Sequence, residues 1–89
     1  MREKIHRIVD LCIASENGTT HASLDISTHV KWLYLTVWEG KECNDNSIIY
    51  REFAFYEGMN FNEIEEQKIN DMIHLLEEIV EEKEKNNDI

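Results

Sequence analysis

The spacing of apolar residues changes along the chain and marks out its elements. Near the start, apolar residues recur three and four positions apart, the spacing of one helical face: Ile5, Ile8, Val9, Cys12 and Ile13. This spacing predicts a helix over residues 2–15, and Asn17-Gly18 supplies a left-handed stop of the kind at which helices end. From Thr19 onward apolar and polar residues alternate, which indicates a β-strand with one solvated face.

The second predicted strand is apolar on both faces. It begins at about Val30, after the polar turn 27–29, and ends at about Trp38. Alternate side chains of a strand point to opposite faces. One face therefore carries Leu33, Leu35 and Val37, and the other carries Trp32, Tyr34, Thr36 and Trp38. Helices can cover one of these faces, which leaves the other for a bound partner or for burial within an oligomer.

A third strand and a long helix complete the predicted domain. A solvated loop over residues 40–47 precedes a strand from Ile48 to Tyr56. Asn62 and Glu65 have the spacing of a capping box at a helix start, and the apolar stripe of that helix ends at Val80, beyond which we expect fraying. These elements predict an α+β fold, a two-layer α-β-β-β-α arrangement with a three-stranded antiparallel meander and two helices on one face. They predict a single domain over residues 1–85 and a disordered tail over residues 86–89.

Strand register decides which rings share the open face of the sheet. Pairing Trp38 with Ile48 is the register that we favour. It predicts an open aromatic surface made of Trp32, Tyr34, Trp38, Tyr50 and Tyr56. The same register turns Phe53, Phe55 and Arg51 toward the helices, whereas a slip of one residue would group both phenylalanines with the tryptophans.

Charge favours a basic partner. The 89 residues carry a formal net charge of -10, which repels the phosphates of nucleic acid and of anionic membranes. Acidic residues concentrate in the last third of the chain. The last helix presents Glu63, Glu66, Glu77, Glu78, Glu81 and Glu82, which could engage a basic protein or could simply keep the helix solvated.

No pattern for catalysis, metal binding or a cofactor stands out. Cys12 and Cys43 are too few for a disulfide framework, and neither has the neighbours that a metal site or an activated thiol needs. The four histidines show no ligand spacing. No apolar run is long enough to span a membrane, and no secretory leader is visible. We therefore expect a cytoplasmic, non-enzymatic protein without metal or cofactor.

Residues 25–38, from Asp25 to Trp38, resemble a strand-turn-strand found in small uncharacterised acidic proteins of phages and prophages of Gram-positive bacteria. The resemblance implies the cytoplasm of a bacterial host, and some acidic phage proteins of this size act as decoys for nucleic acid. The α-β-β-β-α order is also similar to double-stranded RNA-binding domains. Those carry basic groups at the start of their last helix, where this chain has 62–66, Asn-Glu-Ile-Glu-Glu, so direct binding of RNA is not expected.

Two functions follow as predictions. The first is a protein-interaction module, homo-oligomeric through the aromatic surface, that binds a basic partner through its acidic C-terminal helix, as a phage-encoded inhibitor or nucleic-acid mimic would. The alternative is a protein that binds a small, nucleotide-like ligand on the aromatic surface. That alternative needs a nearby positive charge, for which Arg51 and Lys31 are the candidates.

Overall fold

Two helices lie on one face of a three-stranded sheet in the computed structural model, which describes residues 1–87. The elements are α1 (Arg2–Ser15), β1 (Thr20–Ser27), β2 (Trp32–Glu39), β3 (Ile48–Phe55) and α2 (Glu63–Asn87). The α+β class and the α-β-β-β-α order are therefore confirmed. Strand β2 begins two residues later than predicted, because residues 28–31 form a turn in which Lys31 has a left-handed backbone (φ 61°).

The sheet is an antiparallel meander in the order β1-β2-β3. Trp38 pairs with Ile48, as predicted, but Val37 pairs with Tyr50, so that Ile49 is left over in a β-bulge. A bulge sets two residues of one strand against one of its neighbour. Every residue of β3 after the bulge therefore lies on the face opposite to the one that the sequence predicted.

The core lies between the sheet and both helices. The β2 residues Leu33, Leu35 and Val37 are fully buried there. They meet buried side chains from α1 and α2, chiefly Ile8, Leu11, Ile69, Met72 and Leu76. Helix α1 packs against β1, α2 packs against β3, and the helices pack against each other. Neither α1 nor α2 covers the other face of the sheet, and these are the two helices of residues 1–87.

Helix α2 begins with half of the predicted capping box. The Asn62 side chain accepts hydrogen bonds from the backbone N–H groups of Ile64 (2.9 Å) and Glu65 (3.1 Å). Glu65 does not reach back to Asn62, because its carboxylate is engaged by two other groups. It accepts a hydrogen bond from the backbone N–H of Phe55 at 3.2 Å, and it forms an ion pair with Lys68 at 2.9 Å. Glu65 therefore joins the start of α2 to the end of β3.

The far end of α2 is longer than predicted, since the helix continues through Asn87 instead of fraying after Val80. Lys83 contributes to this by donating a hydrogen bond to the backbone carbonyl of Ala14 at 3.1 Å, and a second to that of Glu16. These carbonyls lie at the C-terminal end of α1, where a cation is favourable. The predicted tail, 86–89, overlaps the last helical turn at 86–87, and positions 88–89 lie outside the described residues.

Replacing Glu65 by glutamine is expected to lower the free energy of unfolding by about 1–2 kcal/mol at neutral pH. Glu65 is buried. The pKa of its carboxyl is lowered from the usual 4.5, mainly by the hydrogen bond from Lys68 and to a smaller extent by the hydrogen bond from the backbone of Phe55. The carboxylate therefore stabilises the fold above pH 4.5, and this contribution disappears as the pH falls through the lowered pKa.

Urea unfolding measured at neutral and at acidic pH tests this prediction. The difference between the wild type and Glu65→Gln should shrink toward acid, where the wild-type carboxylate is protonated. Glu78→Gln, an exposed position on the same helix, is the control and should change little. Equal losses in the two variants would contradict the role assigned to Glu65.

Candidate interaction surface

Five rings share the sheet face that points away from the helices, and we call this set the aromatic face. Strand β2 contributes Trp32, Tyr34 and Trp38, because Leu33, Leu35 and Val37, which point the opposite way, enter the core. Strand β3 contributes Phe53, which pairs with Tyr34, and Phe55, which pairs with Trp32. All five side chains are half-buried within the protomer. Trp32, Tyr34, Phe53 and Phe55 are neighbours at one end of this face, Trp38 lies toward the other end, and all five rings remain partly accessible to another molecule.

The rings support one another across the strands. The ring centroids of Trp32 and Phe53 are 5.5 Å apart at 45°, and those of Phe53 and Phe55 are 5.1 Å apart at 87°. Tilted and edge-on arrangements at these distances are the favourable geometries for aromatic pairs. These contacts order the Trp32, Phe53 and Phe55 side chains in the free protein, which reduces the side-chain entropy that binding of another molecule would cost.

Opposite charges stand at the two sides of the aromatic face. Asp25 of β1 pairs with Tyr34, and Arg51 of β3 pairs with Thr36, so both point to this face. Both side chains are exposed, and neither forms an ion pair with another residue in the range 1–87. The expectation that Arg51 faces the core was wrong, because the bulge turns it outward.

The prediction that Tyr50 and Tyr56 belong to the open surface was also wrong. Both rings pack against the core cluster on the helix side of the sheet. Burial, with smaller contributions from Glu52 and Asp71, raises the pKa of Tyr50 to about 12, and its buried hydroxyl has no hydrogen-bond partner among the described residues. Phe53 and Phe55 take their places on the aromatic face.

The polar character of position 51 was the signal that could have revealed this arrangement. An arginine directed into a small apolar core is costly unless it is paired. The shifted register, which groups Phe53 with Phe55 and the tryptophans, avoids that cost. Asp25 was missed for a different reason, since an acid on the wet face of a strand is ordinary.

A histidine lies beside the Trp38 end of the aromatic face. The His21 ring lies 5.5 Å from the Trp38 ring, tilted by 40°. Its Nδ1 is 2.7 Å from the Glu16 carboxylate, and this hydrogen bond is the main reason that the pKa of Glu16 is lowered. The indole N–H of Trp38 is buried and has no hydrogen-bond partner within the described part of the chain. This end is therefore fixed by contacts to the segment after α1.

The six glutamates predicted as an acidic surface do not form one continuous patch. Glu66 accepts a hydrogen bond from Lys4 at 3.0 Å, and Glu77 lies 3.4 Å from Arg7, so these two join α2 to α1. The other four, Glu63, Glu78, Glu81 and Glu82, are exposed. At about 100° per residue, Glu78 and Glu82 lie on the flank of α2 away from α1. The sequence did not show the partners on α1 because ion pairs between distant segments leave no local pattern.

The thiols and histidines do not come together. Cys12 is half-buried, and burial raises the pKa of its thiol to about 11, while Cys43 is exposed in the loop after β2. Within residues 1–87, no group of three or more His, Cys, Asp or Glu side chains could hold a metal ion. The absence of metal, cofactor and catalysis stays a prediction from sequence.

No protein-family model, curated protein or solved structure matches this chain. The resemblance to phage proteins and the cytoplasmic location therefore stay predictions. Neither helix has an apolar stretch long enough to cross a bilayer in the part of the chain that the structure describes. Function has to be inferred from the surfaces of the fold, of which the aromatic face is the most distinctive.

Proposed function

We propose that this chain is a non-enzymatic protein-interaction module that self-associates through the aromatic face. The observation that carries the proposal is the grouping of five half-buried rings on the sheet face that both helices leave uncovered. Tryptophan and tyrosine are enriched where binding energy concentrates in protein interfaces. A surface of this kind is typical of an interface rather than of a solvated sheet.

Charge complementarity makes a second copy the proposed occupant. In a two-fold dimer whose sheets pack face to face, with the axis along the strands, β1 of one protomer lies over β3 of its partner. Asp25 then approaches the partner's Arg51, and symmetry forms the same pair again. The β2 rings of the two protomers meet between these charges. One arrangement therefore uses both the rings and the charges of the aromatic face.

The size of the face predicts a modest affinity. Strands of eight residues are about 27 Å long, and three strands are about 14 Å across, which gives a projected area of about 400 Å². A standard interface buries about 800 Å² on each partner. The dimer should therefore dissociate on dilution, and its association has to be measured over a range of concentrations.

Charge reversal tests the proposed dimer. Sedimentation velocity over a dilution series should show association of the wild type and weaker association of Asp25→Arg and of Arg51→Asp. The double variant, which exchanges the two charges, should recover much of the loss. Asp45→Arg, in the exposed loop at 40–47, is the matched control and should associate like the wild type.

The outcomes separate the two parts of the proposal. A wild type that stays monomeric at every concentration would overturn self-association. A double variant no stronger than the single variants would show that Asp25 and Arg51 do not face each other across the interface. Association that is insensitive to salt would argue against the charge pairs in the same way.

Binding of a basic protein through α2 remains a prediction from net charge. The structure leaves four of the six glutamates exposed for such a contact. Binding of a nucleotide-like ligand to the aromatic face is less favoured. Tyr50, which was predicted to be part of the ligand surface, lies on the core side, and a cleft of about 560 Å³ lies elsewhere, although Arg51 does supply positive charge beside the rings.

A further inference from the structure

A cleft of about 560 Å³ lies at the end of the sheet where β1 turns into β2. Its walls come from the first turns of α1, from the turn at 28–31 and from the residues that follow β3. Small-molecule sites are commonly about 300–1,000 Å³. The cleft is lined by none of the five rings of the aromatic face, so it is a separate surface.

The charged groups of this cleft are mainly basic, in a chain with a net charge of -10. Arg2 and Lys31 line it together with His6, and Glu57 is the single acid. Lys4, Arg7 and Lys68, by contrast, each form an ion pair with a glutamate of α2. Among residues 1–87, neither Arg2 nor Lys31 forms an ion pair or a side-chain hydrogen bond. Their positive charges are therefore available to a ligand.

The remaining walls of the cleft are largely apolar. Ile5 and Tyr56 pack against the hydrophobic core, and each presents part of its side chain to the cleft. Ile26, at the end of β1, is 43% exposed there. A ligand that fills this space would contact both apolar surface and cationic groups.

The turn constrains the backbone of Lys31. Its backbone is left-handed (φ 61°), which costs a residue other than glycine about 1–2 kcal/mol. The carbonyl of Lys31 accepts a hydrogen bond from the backbone N–H of Tyr56 at 2.9 Å, and the Tyr56 hydroxyl donates to the carbonyl of Ser27 at 3.4 Å. Tyr56 thus contacts the backbone at both ends of the turn and orders this wall of the cleft.

We propose that this cleft binds a small organic anion with an apolar or aromatic body. The anionic group, a carboxylate, sulfonate or phosphate, lies between Arg2 and Lys31. The body of the ligand packs on Ile5, Ile26 and Tyr56. This inference is independent of self-association through the aromatic face, because the two surfaces share no residue.

Two dyes with the same aromatic body distinguish an anion-binding site from a site that is only hydrophobic. Anilinonaphthalene sulfonate carries a negative charge, and phenylnaphthylamine is the same body without it. Fluorescence titration should show saturable binding of the sulfonate to the wild type. Lys31→Asn combined with Arg2→Gln should weaken that binding about tenfold and leave binding of the neutral dye nearly unchanged. Asparagine is chosen because it tolerates the left-handed backbone of position 31.

Control variants locate the bound dye. Lys41→Asn removes a positive charge from the loop at the other end of β2 and should leave the affinity unchanged. Phe53→Thr alters the aromatic face and should also leave it unchanged. The proposal is overturned if the wild type does not bind the sulfonate, if the double variant binds it as tightly, or if only Phe53→Thr weakens it. Far-ultraviolet circular dichroism and urea unfolding verify that each variant is folded, and Lys31→Gly replaces Lys31→Asn if the latter is not.

Discussion

Replacing Trp32 and Phe53 together by threonine is expected to weaken self-association by about a hundredfold or more. Each large ring buried in an interface is worth about 2 kcal/mol, and 1.4 kcal/mol corresponds to a factor of ten. The two effects will not simply add, because the rings lie 5.5 Å apart and support each other. Threonine retains a high preference for strands, so the sheet should still form.

Sedimentation velocity, with urea unfolding at low protein concentration, separates association from folding in this double variant. Met59→Thr is the control, since Met59 is fully exposed in the segment before α2 and removing its side chain should leave association unchanged. A double variant that associates like the wild type would exclude the aromatic face as the interface. If the aromatic face is also used for an external partner, the same variant should lose that partner.

Periodic patterns predicted the elements of this fold because they report local geometry directly. The helical spacing before Asn17 predicted residues 2–15, which is the range of α1. The alternation along β2 identified Leu33, Leu35 and Val37 as core residues, and all three are fully buried. Short connections then allowed only a few arrangements of three strands, of which the antiparallel meander is the simplest.

The aromatic face was only partly predictable, because the side chains that β3 contributes to it depend on which residue is left unpaired in the bulge. The sequence Ile48-Ile49-Tyr50 is apolar throughout, and nothing in it marks Ile49 as the residue that the bulge leaves over. A shift of one residue reverses both faces of a strand, so this single feature moved Tyr50 to the core side and Phe53 to the open face.

Glu65 shows a second limit of local patterns. Its spacing from Asn62 is that of a capping box, yet its carboxylate binds the backbone of Phe55 on the neighbouring strand. Glu66 and Glu77 were likewise assigned to an acidic surface because they lie on the acid-rich last helix, and each meets a basic side chain of α1. In each case a partner distant in the sequence outweighs the local rule.

Replacing Leu35 by alanine is expected to lower the free energy of unfolding by about 3–4 kcal/mol. Leu35 is at the middle of the central strand, fully buried, and pairs with Leu24 on one side and Glu52 on the other. The loss combines the transfer of apolar surface with the cavity that remains, since the flanking strands and helices limit collapse. Domains of this size are stable by only about 5–15 kcal/mol, so the change removes a large part of the total.

Urea unfolding measured at several protein concentrations tests this value together with the proposed dimer. Ile26→Ala is the control, because Ile26 is 43% exposed at the end of β1 and should lose about 1 kcal/mol or less. If the native state dimerises, the unfolding midpoint rises with concentration in the wild type and also in Leu35→Ala, which keeps the aromatic face. The threonine double variant should lose that dependence. A loss of less than about 1 kcal/mol for Leu35→Ala would mean that the helices do not cover this face of the sheet.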